Sequence, residues 1–254
     1  MSLTRSRGQG YILNMFKTKQ ATEKGEQSRN HILECALRDF RRRGFDETRM
    51  RDIALEAGVA LGAAYYYFPS KDAIIQAYYD SVQAEHERRV AEALAAGKLT
   101  LRQRLGVAMH SKLDIVEQDR RLLGAIFRYT GEPEHPLSCL GPATEAARRH
   151  SIAVFARALE GEKLPQDLNE LLPLALWALH MGILVYFIYD RSAGQQRTRK
   201  LVDGALDLIA RMLVLAKSPL LKPVRGKLLS LLREAGLLPG AEEGRGLHLA
   251  EELP

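Results

Sequence analysis

Between Thr48 and Lys71 the chain gathers Arg49, Arg51 and Lys71 with the hydroxyls of Thr48, Tyr65, Tyr66 and Tyr67. These are hydrogen-bond donors and fixed cations, a set that suits docking against an anionic, polar surface rather than making or breaking bonds. The rest of the sequence supplies nothing for catalysis. It has no nucleophile–base set, no paired acids and no glycine-rich cofactor loop, so the expectation is a protein that is not an enzyme and needs no cofactor. Cys35 and Cys139 lie far apart in unlike contexts, outside any C-x-x-C or Cys/His cluster, which argues against a disulfide framework and a zinc site. His110 and His180 are not at metal-ligand spacing with a carboxylate or thiol, so no metal is expected. A net charge of +6 is compatible with an anionic partner but does not prove one.

Two short helices joined by a tight turn must position these donors. Thr48 is a good N-cap for the first. Met50, Ile53, Ala54 and Ala57 then recur at helical spacing as one apolar face. Gly58 follows, where a residue tolerant of positive φ ends a helix at low cost, and Val59 plugs the corner. Leu61 to Phe68 form the second helix, stopped at Pro69. Three consecutive tyrosines point in different directions from a helix, so core packing accounts for Phe68 and part of Tyr65 but not for all of them. This is the anatomy of a DNA-binding helix-turn-helix.

Every other segment reads as helix or loop, giving an all-α fold class: a three-helix DNA-binding domain followed by a larger helical domain. Residues 1–25 are basic and lack apolar periodicity, which predicts a disordered arm; it is either a leader or a phosphate-neutralising arm. Residues 26–70 form the helix-turn-helix domain. Its first helix, Glu26 to Gly44, carries Ile32, Leu33, Ala36, Leu37 and Phe40 on one face, with Cys35 a small core residue among them. Ser70 caps the long helix that follows. Residues 71–217 form the second domain, with helices expected over about 101–117, 119–130, 143–160, 167–190 and 196–217 and a loop of breakers over 131–142. Residues 218–254 add a small amphipathic helix and a loose tail. The 167–190 segment is apolar nearly all round and contains Pro173, which should bend it. Such a helix needs cover on nearly all sides, and with 196–217 it predicts an intersubunit four-helix bundle in a homodimer. No uninterrupted apolar run reaches ~18 residues and the N-terminus is polar, so a cytoplasmic protein without a membrane partner is expected.

Gly58, Val59, Gly62, Tyr65, Tyr67, Phe68, Ser70 and Lys71, with Thr48, Ile53 and Ala54 upstream, resemble the N-terminal signature of the TetR family of one-component transcriptional repressors. The specific resemblance covers about residues 28–75. It implies an all-α homodimer, double-stranded DNA with a pseudo-palindromic operator as one partner, and a small-molecule effector held by the C-terminal domain as the other. Carried over by position, Thr48, Tyr67 and Lys71 resemble phosphate-backbone contacts. Arg51 and the exposed face formed by Leu61, Gly62, Ala63, Tyr65 and Tyr66 would face base edges, with Arg49 a second candidate. Ala60 stands where the family often has Ser or Thr, so the second helix lacks a side-chain cap. Leu61 and Ala63 replace commonly polar positions, which leaves direct readout leaning on Arg51. For the effector, His110, Phe127, Tyr129, Trp177 and His180 are the candidate lining, and an apolar lining suggests a largely hydrophobic molecule. The sign of regulation is open, because activation or repression depends on operator position. An all-α ligand carrier or enzyme retaining the N-terminal fold is the alternative of a different class.

Overall fold

A computed structural model describes residues 8–238, with side chains from residue 23 onward. In chain order the α-helices are α1 (Gly8–Arg43), α2 (Met50–Glu56), α3 (Leu61–Tyr67), α4 (Lys71–Ala95), α5 (Leu101–Val116), α6 (Arg120–Thr130), α7 (Glu145–Ala158), α8 (Gln166–Tyr189), α9 (Gln196–Ala216) and α10 (Lys222–Glu234). No strand occurs among the described residues. The chain divides into two compact units. The first runs to Ser81 and includes Gln118–Glu145; the second comprises Val82–Glu117 and the chain from Ala146 onward.

The helices beyond residue 100 start and stop within a few residues of their expected bounds. Two differences are informative. α1 begins at Gly8, whereas the basic arm was expected to stay irregular to residue 25. The stretch before Glu26 is rich in Lys, Gln and Glu, all good helix formers, and propensity needs no apolar periodicity. Residues 1–7 of that arm, and 239–254 of the expected tail, lie outside the described residues. The second difference is that α6 and the loop after it belong with the helix-turn-helix rather than with the larger unit.

Within the first unit, Phe45 explains that grouping. α1 ends at Gly44, whose φ of +96° turns the chain left-handed. The next residue, Phe45, is buried, with its ring 5.2 Å from that of Phe40 and 6.1 Å from that of Tyr129 on α6. Asp46 accepts hydrogen bonds from Tyr129 Oη at 3.0 Å and from the Arg128 guanidinium. The Arg128 bond holds its carboxyl below the usual range. From α4, Lys71 Nζ donates to the Phe45 carbonyl at 2.6 Å and sits 4.4 Å above the Phe45 ring. A second tie lies deeper: Asp119, buried just before α6, accepts from Arg41 Nε of α1 at 2.5 Å and from Tyr78 Oη of α4 at 2.8 Å.

In the second unit, α5 packs on α9 and α8 packs on α9 and α10. Leu105, Met109, Leu113, Ile183, Phe187, Val202 and Leu206 are buried there. α5 carries a capping box: Thr100 Oγ1 accepts from the Gln103 N–H at 3.3 Å, and Gln103 Oε1 accepts from the Thr100 N–H at 2.9 Å. Arg225 of α10 is buried and donates to Asp167 at 2.6 Å and to the Ala216 and Ser218 carbonyls, where α9 ends. A cation there meets the negative end of the helix dipole.

α8 is continuous through Pro173. By length and composition it is apolar enough to cross a membrane, with a mean hydropathy of 2.0 over its best window. The sequence expectation counted only uninterrupted apolar runs, whereas a window average also admits a core helix of this length and composition. Its Leu174, Leu176, Ile183 and Phe187 are buried within the unit. The opposite stripe of Ala175, Ala178, Gly182, Tyr186 and Tyr189, at three- and four-residue spacing, is exposed, with Tyr189 74% accessible. α9 carries a matching exposed stripe of Leu201, Leu208, Met212 and Leu215.

Lys71 thus has a structural job that can be isolated. Lys71→Met removes the ammonium over the Phe45 ring and leaves the Phe45 carbonyl without its donor. The first unit should lose about 1–3 kcal/mol, the cost typical of an orphaned acceptor, seen as a lower urea midpoint for its transition.

Candidate nucleic-acid interface

α2 and α3 meet through small residues. Ala54, Ala57 and Ala64 are buried, as are Met50, Ile53 and Phe68, and Arg29 of α1 lies 4.8 Å over the Phe68 ring. The corner is a Schellman turn. Gly58 has φ of +64°, its N–H donates to the Leu55 carbonyl at 3.1 Å, and the Val59 N–H donates to the Ala54 carbonyl at 3.0 Å. A side chain at position 58 would meet open space but a strained backbone, so the requirement for glycine there is conformational. Gly62 is different: it is helical and exposed with nothing near it, leaving a flat place on α3 that a surface could approach. As expected, Ala60 caps α3 with no side-chain bond.

The fixed pair presents a mixed face. Arg49 and Arg51 are exposed at the start of α2, and Arg51 makes only a 3.8 Å approach to Asp52. On α3, Leu61, Gly62 and Tyr65 are exposed, Tyr66 is 81% exposed, and Ala63 and Tyr67 are half-buried. The Tyr66 and Tyr67 rings meet edge to face, 5.1 Å apart. Phe68 is in the core, as expected from the spacing.

Two positions need correction. Thr48 does not cap α2 and has no exposed side chain to offer a phosphate. It is fully buried, and its hydroxyl donates to the Gly44 carbonyl at 2.7 Å, satisfying the end of α1 instead. Arg49 is the N-cap residue, its backbone N–H donating to Asp52 at 3.1 Å. Lys71 does lie at a helix start, where the Ser70 side chain accepts from the Ala73 N–H at 3.1 Å. Its ammonium, however, turns back onto Phe45 rather than outward, and burial lowers its pKa.

Of the residues expected to line an effector pocket, two lie in the first unit and three in the second. Phe127 and Tyr129 sit on α6 in the first unit, where Tyr129 stacks on His135 at 4.6 Å and bonds Asp46. His110 is in the second unit but is satisfied at its edge by Asp203 of α9, 3.1 Å from Nε2. Trp177 is half-buried on α8. His180 alone reaches the polar interior of that unit. It lies 6.2 Å, centroid to centroid, from His86 of α4, and Phe155 of α7 meets it edge-on at 5.5 Å. His86, Gln83 and Lys112 were missed by reading α4 and α5 for apolar periodicity. The available signal was the reverse one, polar residues at positions of an otherwise core-facing stripe. Lys112 Nζ donates to Gln83 Oε1 at 2.9 Å, as does Ser151 Oγ at 2.7 Å. Gln83 in turn donates to Glu87 Oε1 at 2.9 Å.

Burial lowers His86 to about 4, with Lys112 nearby adding to the effect, and holds His180 well below its ordinary value. The unfolded chain therefore binds more protons than the folded one between pH 6.5 and 4, and stability is lost as pH falls through that window. From His86 alone the second unit should lose about 3 kcal/mol on going from pH 7 to pH 4, measured by urea unfolding at stepped pH. His86→Gln should flatten the dependence.

Residues 32–78 match the family described as "Bacterial regulatory proteins, tetR family", and residues 104–226 match the "Tetracyclin repressor-like, C-terminal domain". The HTH-type transcriptional regulator TtgR of Pseudomonas putida is 38% identical over 69 residues, which are 27% of this chain and 33% of that protein. The HTH-type transcriptional regulator AcrR of Shigella flexneri is 44% identical over 55 residues, 22% of this chain and 24% of that protein. The match thus spans a third or less of these relatives' length. The TetR transcriptional regulator of Nitrosomonas europaea shares the fold at 20% identity and a TM-score of 0.59, over 72% of this chain and 97% of that one. With both halves matched in order, the first on the helix-turn-helix and the second on the helices that follow, the chain belongs to the tetR family of bacterial regulatory proteins.

Proposed function

We propose that this chain is a cytoplasmic homodimeric repressor that grips a pseudo-palindromic DNA operator and releases it when a small molecule binds its second unit. The observation that carries the reading is the exposed face of α3 with Arg49 and Arg51 beside it, on a helix pair whose facing sides are packed through Met50, Ile53, Ala54, Ala57, Ala64 and Phe68. Arg51 would pair with a guanine edge. Leu61 and Ala63 would touch thymine methyl groups, Tyr65 and Tyr66 would follow the groove wall, and Gly62 would let α3 approach closely. Arg49 and Tyr67 would hold phosphates, which fix register without reading sequence.

Two copies are needed to span successive half-sites. The exposed stripes Ala175–Tyr189 of α8 and Leu201–Leu215 of α9 supply the apolar surface for a four-helix contact between protomers. Release then requires that the effector bind the DNA-incompetent state better than the competent one by the coupling free energy. α4 contributes residues to both units, Ser81 ending one and Val82 starting the other.

Footprinting on DNA upstream of the chain's own gene should protect two half-sites related by approximate two-fold symmetry; binding indifferent to sequence at moderate salt would defeat the reading. Arg51→Ala should weaken operator binding by a factor of about 5 to 150, equivalent to ~1–3 kcal/mol, with little change on random DNA. Met212→Glu places a charge in the α9 stripe and should give monomers in micromolar sedimentation together with loss of operator binding. A wild-type chain that sediments as a stable monomer would overturn the dimer.

A further inference from the structure

Four helices of the second unit converge on a polar cluster that the DNA-facing surface does not use: Gln83 and His86 of α4, Ser111 and Lys112 of α5, Ser151 of α7 and His180 of α8. His86 is 1% exposed and His180 4%. His86 Nε2 donates to the Ala108 carbonyl at 2.7 Å, and His180 bonds the Met109 carbonyl. The remaining ring nitrogens, His86 Nδ1 and His180 Nε2, have no hydrogen-bond partner among the described residues, and neither has Ser111 Oγ. An imidazole that donates one N–H to a carbonyl carries its lone pair on the other nitrogen. The core thus holds two fixed acceptors that the helices leave without a donor.

Lys112 gives that group its charge. Its ammonium donates to Gln83, and among the described residues it has no ion pair with a carboxylate. The nearest acid, Glu87, is taken up by Gln83 and by His150 Nδ1 at 3.0 Å. Lys112 is part-buried, and burial lowers its pKa to about 8 with Glu87 offsetting this only in part; an incoming anion would offset the rest. Beside the cluster, a cleft of about 370 Å³ between α4 and α7 is lined by Glu87, Val90, Val154, Arg149 and Arg157, and Glu87 ties it to the cluster by accepting from Gln83.

We propose that this cluster is the head-group site of the effector and that the effector is an organic acid. Its carboxylate pairs with Lys112, its apolar tail follows the Val90–Val154 side of the cleft, and one proton enters with it. The proton is required because carboxylate oxygens would otherwise face imidazole lone pairs; the ring pair takes it up and becomes a donor. Other titratable groups around the pair are Glu87 on α4, His110 and Lys112 on α5, and His150 on α7; His110 is already paired with Asp203 of α9. Burial keeps both imidazoles neutral near pH 7, with His86 near 4, so the ring pair is free to take up a proton when a negative ligand arrives. The proposal rests on the effector-released repressor reading and gives that effector a chemistry.

The test is calorimetry of the full-length protein with straight-chain carboxylates from butanoate to dodecanoate and with benzoate, each against the matching alcohol. Runs in two buffers of different ionisation enthalpy read proton uptake. At least one acid should bind with uptake of about one proton, and its affinity should rise roughly tenfold per pH unit lowered between pH 7 and 6. The imidazole nitrogen-15 signals of the wild-type protein should move to the imidazolium position on saturation, a readout that needs no variant. Lys112→Met should weaken acid binding by about tenfold or more while operator binding without acid is retained. No acid binding at millimolar concentration, equal binding of alcohol and acid, or binding without proton uptake would each overturn the proposal. Operator binding, measured on the same sample, separates the two failures: its loss in wild type sinks the repressor reading, and its presence without acid binding sinks only this one.

Discussion

The first unit depends on where Phe45 is held. A left-handed glycine delivers it out of α1, Phe40 and Tyr129 close on its ring, and the Lys71 ammonium takes its carbonyl. α1, α4 and α6 therefore meet at one residue of the turn that leads into α2. Because the packed interior resists small shifts, the helix-turn-helix inherits the orientation of that turn. The Arg41–Asp119–Tyr78 tie repeats the arrangement one layer deeper, again joining α1, α4 and the start of α6.

The second unit distributes polarity the other way round. Its exposed surface carries apolar stripes on α8 and α9, while its interior carries histidines and a glutamine, with a part-buried lysine bonded to that glutamine. Exposed apolar stripes at helical spacing mark a surface to be covered, and buried polar atoms without partners mark groups waiting for one. The proposed second copy would cover the first, and the proposed effector would answer the second.

Reading the chain for helices succeeded where periodicity and punctuation agree. Gly44, Gly58 and Pro69 stop their helices for reasons of backbone geometry that no tertiary contact has to supply, and the breaker-rich 131–142 stretch is a loop for the same reason. The exposed face of α3 was also legible, since three consecutive tyrosines cannot all turn inward. What failed was the assignment of partners. Thr48 and Lys71 have the residue types of phosphate ligands, yet both bond backbone carbonyls at the end of α1. Tyr129 was read as pocket lining because it is aromatic on an apolar helix; its hydroxyl instead finds Asp46, more than 80 residues away in sequence.

By itself the sequence determined the all-α class, the helix-turn-helix and the family, because turn glycines, apolar spacing and capping residues act over a few positions and leave a local signature. Only the tertiary structure decided that α6 belongs with the helix-turn-helix, that Lys71 serves Phe45, and that His86, His180 and Lys112 share one interior. Those pairings join residues tens of positions apart, and a hydrogen bond or an ion pair depends on distance in space, which residue type and local spacing do not encode.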